Sequence, residues 1–186
     1  MAYPRKITKE TILVTARLVL EKEGELSLRS VARRLRVKPP SLYNYYHSIA
    51  DLRSALVADA FYLIGAAMSA ALARKRSLDS LAHAYRGFAK ANPNLYHLVF
   101  SPIEDVGRNR AARDEALRPL ADVLGLPLTD QRLFKLQRVF WSFAHGLVSL
   151  EGAGQFFLAT DLDSDYLEGI RSLAVSLRQS PSIKGG

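Results

Sequence analysis

Apolar residues recur every three or four positions along nearly the whole of this 186-residue chain, with polar residues between them. That spacing places apolar side chains on one face of an α-helix. We find no segment of alternating apolar and polar residues, and no Asn-Gly pair that would mark a β-hairpin. The pattern therefore predicts an all-α protein, which proline, glycine and capping residues divide into about nine helices.

The first 45 residues contain three short predicted helices. Thr8 can cap the first helix, which Gly24 ends, and Ser27 can cap the second. Pro39 and Pro40 mark the start of the third, because proline is tolerated in a helix only in its first turn. Three short helices with a tight turn between the second and third predict a helix-turn-helix, a DNA-binding motif.

The remaining predicted helices are mostly longer. Ser48 and Asp51 have the spacing of a capping box and begin a helix that runs to about residue 73. Thr129 can cap another, which reaches Gly152. Further helices are predicted at about 77–91, 95–100, a segment that ends near 125, and 165–178. We expect a DNA-binding domain over residues 5–60, a helical bundle for ligand binding and dimerisation over 61–180, and a flexible tail over 181–186.

The two predicted faces of the helix-turn-helix differ in character. The inward set would lock its two helices together and comprises Val31, Ala32, Leu35, Val37, Leu42 and Tyr46. The outward set is rich in hydrogen-bond donors and comprises Arg29, Arg33, Lys38, Ser41, Tyr43, Asn44, Tyr45 and His47. Such donors suit phosphate oxygens and base edges.

Charge is concentrated at the same end of the chain. The formal net charge is +8, and residues 1–55 hold eleven Lys or Arg against five Asp or Glu. A basic end on a near-neutral body suits a phosphate-binding head, because each neutralised phosphate releases condensed counterions. A solvated basic surface is the alternative that charge alone leaves open.

Catalytic and metal-binding patterns are absent from the sequence. There is no cysteine, no glycine-rich phosphate loop and no His-Glu-x-x-His motif. The segment that begins at Asp161 has the acidic spacing of a calcium loop, but Tyr166 stands at the glycine position and Ser172 at that of the bidentate glutamate. We interpret it as a helix-capping cluster. The sequence predicts no enzyme, no metal and no cofactor.

Membrane spanning is not expected either. The longest uncharged run, Ala60–Ala73, has fourteen residues, fewer than the roughly 20 that cross a bilayer. We interpret it as part of a core helix and expect a cytoplasmic protein. A helical scaffold whose basic end binds a membrane surface or RNA is the rival interpretation.

The segment Ser-Leu-Arg-Ser-Val-Ala…Ser-Leu-Tyr-Asn-Tyr-Tyr…Ala-Asp-Leu over residues 27–52 resembles the DNA-binding domain of TetR-type regulators. The resemblance covers residues 5–60. It implies a sequence-specific regulator of transcription that binds double-stranded operator DNA as a homodimer. It further implies a repressor that a small molecule releases from a palindromic operator.

The resemblance assigns roles to individual residues. It makes Arg29 a contact from the second helix, Tyr43 a phosphate contact, and His47 a residue close to the DNA backbone. The groove-facing set that it implies comprises Lys38, Pro39, Ser41, Asn44 and Tyr45. Asn44 is the candidate for base readout, because its amide can pair bidentately with adenine. The alternative is a solvent-facing polar residue.

Two positions depart from the family pattern. Arg36 stands where the turn usually has glycine, so it must adopt a left-handed conformation at a cost of about 1 kcal/mol. Ile49 stands where the family has a lysine and cannot bind a phosphate. Our hypothesis is that Lys38, or Arg5 and Lys6 in the N-terminal arm, compensates for that loss.

The helix predicted over 129–152 is apolar on two sides. One side carries residues such as Leu136 and Phe140, the other residues such as Phe134 and Trp141. A helix of this kind is buried on both sides, so we expect it to form a four-helix dimer interface together with the last helix. The segment from Trp141 to Glu151 resembles the WHG C-terminal domain of one TetR-type branch.

A small-molecule pocket is expected in the helical bundle, since aromatic and polar residues cluster in its helices. Our candidates for its lining are Tyr85, Tyr96, His97, Trp141 and His145. The alternative for each is a residue of the core, with His145 a buried histidine whose hydrogen bonds are satisfied.

Overall fold

The computed structural model describes residues 7–102, 109–156 and 161–179. These ranges contain nine helices and no strand, so the all-α class is confirmed. The helices are α1 (Lys9–Glu23), α2 (Leu28–Leu35), α3 (Pro40–Tyr43), α4 (Ile49–Arg74), α5 (Leu78–Ala91), α6 (Pro93–Val99), α7 (Arg110–Leu124), α8 (Gln131–Gly152) and α9 (Leu162–Gln179).

Several helix ends are fixed by the capping residues that the sequence predicts. The Thr8 hydroxyl accepts the backbone N–H of Thr11 at 3.1 Å, and Gly24 ends α1 with φ at 72°. The Asp161 carboxylate accepts the backbone N–H of Ser164 at 3.2 Å, which confirms the capping role of that acidic cluster. Local side-chain chemistry therefore sets these boundaries.

The predicted cap of α8 is wrong. Asp130, not Thr129, precedes this helix, and its carboxylate accepts the backbone N–H of Arg132 at 2.8 Å. The same carboxylate lies 2.7 Å from the Arg132 guanidinium. A carboxylate accepts a stronger hydrogen bond than a hydroxyl does, which explains why the acidic residue takes the capping position.

The described residues form two compact units. The first contains residues up to Tyr62 together with 92–113, and the second contains Leu63–Ala91 and the residues from Asp114 onward. Helix α4 contributes its first half to the first unit and its second half to the second. The domain ranges expected from the sequence are continuous, whereas both units are built from separate segments.

The first unit is built on α1, which packs against both α2 and α6. Ile12 and Ala16 of α1 are fully buried. The Glu21 carboxylate, at the other end of α1, accepts the backbone N–H of Leu95 at 2.7 Å and that of Asn94 at 3.3 Å. The Asn94 amide donates in return to the backbone oxygen of Glu21 at 3.1 Å. These polar bonds fasten α6 to the end of α1.

In the second unit α5, α8 and α9 pack against one another around a buried arginine. The Arg86 guanidinium forms two hydrogen bonds to Glu151 of α8, at 2.7 and 2.8 Å, and a third to Asp163 of α9. It also lies 5.7 Å from the centroid of the Tyr166 ring. The Arg86 guanidinium holds the pKa of both carboxyl groups below their usual range, chiefly through these hydrogen bonds.

Helix α4 is the one helix in the described part of the chain that is long and apolar enough to cross a membrane. Its most apolar 18-residue window has a mean hydropathy of 1.7, and a third of that window is buried. Core helices of soluble proteins pass the same test of length and composition. Leu52, Leu56 and Ile64 of α4 are core residues here.

Replacement of Arg86 by methionine should lower the free energy of unfolding by about 2 kcal/mol, because Glu151 and Asp163 lose their shared cation. Since those two carboxyl groups have lowered pKa values, their contribution is present at neutral pH and is lost as the pH falls below about 4. The variant should therefore lose less stability than the wild type in acid.

Urea denaturation at pH 7 and pH 3 measures both effects. The control is Lys90→Met, which removes a more exposed partner of Glu151 and should change the stability by less than about 0.5 kcal/mol. Equal losses of stability in the two variants would show that the buried Arg86 contributes no more to folding than the exposed Lys90.

Candidate nucleic-acid interface

The turn between α2 and α3 is a Schellman motif. The backbone N–H of Val37 donates to the oxygen of Ala32 at 3.0 Å, and that of Arg36 donates to the oxygen of Arg33 at 3.2 Å. Arg36 has φ at 60° and is the one non-glycine residue with positive φ in the described ranges. The predicted left-handed arginine is therefore confirmed. Its conformation closes α2 and directs the chain into α3.

Apolar packing holds α3 in place. Leu42, in the middle of α3, is fully buried, as are Val31 and Ala32 of α2. Tyr46 is buried as well, while Leu35 is half-buried. Because one side of this short helix is fixed inside the first unit, the residues on its other side have defined positions.

Two tyrosines tie α3 to the beginning of α1. The Tyr45 hydroxyl donates to the backbone oxygen of Ile7 at 2.8 Å, and the Tyr46 hydroxyl donates to that of Lys9 at 3.4 Å. Burial, reinforced by the charges of Asp51 and Asp59, raises the pKa of Tyr46. Tyr45 is half-buried and its hydroxyl proton is already donated, so toward DNA that oxygen can only accept.

The other sequence-predicted contact residues lie on the outer surface of this region. The exposed ones are Arg29, Lys38, Pro39, Tyr43, Asn44 and His47, while Ser41 is half-buried. Half of the Tyr43 side-chain surface is exposed. The structure thus brings a phenol, an amide and several cations onto the surface around α3, and none of the six exposed residues is enclosed by the core.

The charge of this surface is positive. Arg29, Arg34, Arg36 and Lys38 are all exposed, whereas Arg33 pairs with Glu23 of α1 at 3.2 Å. That exposed ion pair adds little to stability, but it leaves Arg33 less available for a phosphate. Exposed cations of this kind favour the binding of a polyanion.

The first turn of α4 follows the α3 surface directly. The Ser48 hydroxyl accepts the backbone N–H of Asp51 at 3.0 Å, as the predicted capping box requires. The Asp51 carboxylate accepts the backbone N–H of His47 at 3.1 Å. The box therefore also orders the segment that links α3 to α4. Ile49 begins α4 and is partly exposed.

The residues proposed for ligand binding are divided between the two units. In the second unit Tyr85 is buried, its ring centroid 4.7 Å from that of Trp141 and 6.1 Å from that of Phe140. His145 lies one turn beyond Trp141, with a ring nitrogen 3.4 Å from the Ser149 hydroxyl.

The other two candidates, Tyr96 and His97, belong to α6 in the first unit. Tyr96 is buried with its ring centroid 4.9 Å from that of Phe100, while His97 is exposed.

A separate apolar cavity lies within the second unit. It is small: the space in it that a water-sized sphere can occupy is about 20 Å³. Its lining is entirely apolar and comprises Leu78, Leu120, Leu124, Leu136, Val139, Phe140, Ile170, Leu173 and Ala174. None of the five predicted ligand residues lines it.

Comparison with known proteins places this arrangement in a family. The profile of the tetracyclin repressor-like C-terminal domain matches residues 78–173. The chain is also 32% identical over 173 residues to an uncharacterized HTH-type transcriptional regulator of Mycobacterium tuberculosis, Rv0681, a match that covers 89% of this chain and 78% of the relative. The chain belongs to the TetR family of transcriptional regulators. This TetR-family protein is accordingly a DNA-binding regulator and not an enzyme.

Solved structures agree with the fold of this TetR-family regulator. A TetR-family transcriptional regulator from Streptomyces coelicolor has a TM-score of 0.67 at 19% identity, over 91% of this chain and 98% of that one. A TetR variant from Acinetobacter baumannii in complex with minocycline has a TM-score of 0.61 at 20% identity, over 94% and 98% of the two chains. At these identities the likeness supports the fold alone.

Replacement of Arg36 by glycine should raise the free energy of unfolding of this TetR-family regulator by about 1 kcal/mol, because glycine adopts a left-handed conformation without steric cost. The control, Arg34→Gly, removes a cation from the last turn of α2 and should lower stability by up to about 1 kcal/mol. Urea denaturation without DNA compares them. A less stable Arg36→Gly protein would mean that the arginine side chain itself supports the turn.

Proposed function

We propose that this regulator is a cytoplasmic homodimeric repressor that binds a palindromic operator through α3 and dissociates when a small molecule binds its second unit. The observation that carries the proposal is the exposed polar surface of α3, held in place by the buried Leu42. A reading helix needs one side fixed and the other free, and α3 meets both requirements.

Sequence readout is assigned to Asn44. Its side chain is exposed at the end of α3, and a carboxamide can donate to N7 and accept from N6 of adenine in the major groove. Tyr43, half exposed beside it, can donate its hydroxyl to a phosphate oxygen. Arg29 and Lys38 supply cationic contacts to the backbone, which set the position of the helix but carry no sequence information.

The dimer is supported by apolar surface on α8 and α9. Phe134 and Leu150 of α8 and Val175 of α9 are each exposed by 39% or more. Gly146 lies within α8, and a Cβ atom there would meet nothing within 4 Å. A glycine inside a helix costs about 1 kcal/mol relative to alanine, and no close contact with the residues that the structure describes explains it. A second α8 packed at this position would cover Leu150, which lies one turn beyond Gly146 on the same side of the helix, and would explain the glycine.

Dimerisation also has a consequence for the DNA site. Two α3 helices related by a two-fold axis would read two half-sites about 34 Å apart, one turn of the double helix. The operator of such a dimer is therefore a palindrome. A monomer would read a single half-site with much lower specificity.

Release by a ligand is proposed as a population shift. A molecule that binds one conformation more tightly than the DNA-binding conformation lowers DNA affinity by the ratio of its two affinities. The rings of Tyr85, Phe140 and Trp141 pack on one another with Tyr85 buried, so a flat, apolar molecule that inserts between them would have to separate them and change the conformation of this unit. The minocycline complex of the Acinetobacter baumannii protein is a related case of a small-molecule ligand in this fold.

Selection of bound sequences from a random duplex pool tests the function directly. We expect one palindromic sequence, bound by a species whose sedimentation mass is twice that of the 20.7 kDa chain. A stable monomer, or binding that ignores sequence and disappears at moderate salt, would instead support a scaffold that binds polyanions or membrane surfaces.

Replacement of Asn44 by alanine should weaken binding to the selected operator by about 1–3 kcal/mol, because the base loses a bidentate partner. Binding to random duplex should be unchanged, since that binding depends on phosphate contacts. Fluorescence anisotropy with both duplexes measures the two affinities, and Gln131→Ala, which removes an exposed amide at the beginning of α8 in the second unit, is the matched control. A parallel loss on random DNA would contradict the readout role.

Ligand binding should appear in a thermal-shift screen with flat lipophilic compounds. At a ligand concentration 100 times Kd, we expect stabilisation by about 2.7 kcal/mol and a saturable rise in Tm. The same compound should lower operator affinity, and Trp141→Ala should abolish both effects. A compound that raises Tm and leaves operator affinity unchanged would refute release as the mechanism.

A further inference from the structure

The beginning of α4 carries an exposed cation to which the resemblance to TetR-type regulators assigned no role. Arg53 lies one turn beyond Ile49, the first residue of this helix, and its side chain is exposed. No carboxylate among the described residues forms an ion pair with Arg53. Its charge is therefore not neutralised by the part of the protein that the structure describes.

The geometry of a helix directs Arg53 toward the α3 surface. Side chains on an α-helix lean toward its N-terminus, so a residue covers the turn that precedes its own Cα atom. Arg53 and Ile49 are four positions apart and lie on the same side of α4. A guanidinium that follows this lean covers the side of α4 on which Ile49 lies, next to the segment that links α3 to α4 and carries the exposed His47.

Ile49 itself cannot bind a phosphate. It is 36% exposed and apolar, at a place bordered by the exposed residues His47 and Ala50. An arginine that covers Ile49 supplies a cation at a place where the isoleucine supplies none. A guanidinium suits that task because it is always charged and its fork of N–H donors matches two phosphate oxygens.

We propose that Arg53 is a phosphate-anchoring residue of the DNA interface, a positioning residue that acts from α4 in place of the isoleucine at its first position. The inference rests on the proposed DNA binding by the α3 surface. In this proposal a residue of α4, and not Lys38, makes up for the phosphate contact that Ile49 cannot form. Arg5 and Lys6, the other compensating residues expected from the sequence, lie outside the described residues.

The test is the salt dependence of DNA binding by the full-length Arg53→Gln variant. Each lost phosphate contact should reduce the slope of log K against log salt by about 0.9, and by about 1.8 for the two heads of a dimer. The loss should be equal on the selected operator and on random duplex, because phosphates carry no sequence information. Fluorescence anisotropy between 50 and 200 mM salt measures it.

Three further variants separate anchoring from a general effect of charge. Arg74→Gln removes an exposed cation from the other end of the same helix, and its slope should equal that of the wild type. Arg53→Lys should keep most of the slope. Ile49→Lys in the Arg53→Gln background should restore it, because a lysine there reaches the same border. Equal urea midpoints verify that all the variants are folded.

Two results would overturn the inference. If the slope for Arg53→Gln equals that for the wild type or for Arg74→Gln, Arg53 is only a solvated surface charge, and the proposed function stands without it. If the wild-type protein binds no duplex at any salt concentration, both the proposed function and this inference fail.

Discussion

A helix of four residues such as α3 has no stability of its own, because so few backbone hydrogen bonds cannot offset the cost of nucleation. It persists because Leu42 is buried against α2 and because Tyr46 reaches the backbone at the beginning of α1. The rest of the interface depends on this packing. If α3 were displaced, Tyr43 and Asn44 would lose their defined positions, and the surrounding cations would attract DNA without reading it.

The second unit depends on a polar constraint instead. Arg86 lies on the apolar side of α5, between buried residues such as Tyr85 and Phe88. A buried guanidinium is costly unless its hydrogen bonds are satisfied, and Glu151 and Asp163 satisfy them from two other helices. Because apolar contacts alone tolerate sliding, this directional set of bonds fixes how α5, α8 and α9 are aligned.

The features that could be predicted depend on residues close together in the sequence, whereas those that could not depend on residues far apart. Helices and caps depend on residues within a few positions of one another, so Thr8, Gly24 and the strained Arg36 could be identified from the sequence. The cap of α8 was missed because Thr129 and Asp130 are adjacent; Asp130 is the stronger acceptor and also pairs with Arg132. The exposed side of α3 followed from helical spacing once its packing partners were recognised.

Contacts between distant residues could not be predicted in this way. The attachment of α6 to α1 depends on Glu21 and Asn94, 73 residues apart, and no local pattern indicates it. For the same reason the expected ligand residues, chosen as aromatic and polar groups, fall into two units. An arginine at an inward-facing position of α5 was the one available signal of the Arg86 network, although its partners are not evident from the sequence.

The attachment of α6 also bears on how such proteins can be recombined. The first unit is not a continuous stretch of chain, since residues 92–113 return to it after the chain has passed through the second unit. A chimaera joined after α4 would separate α1 from α6, so the Glu21 carboxylate would lose the backbone N–H groups of Asn94 and Leu95 that it accepts. Exchange of reading heads between relatives therefore requires transplanting two segments together, which makes the head less modular than its position at one end of the sequence suggests.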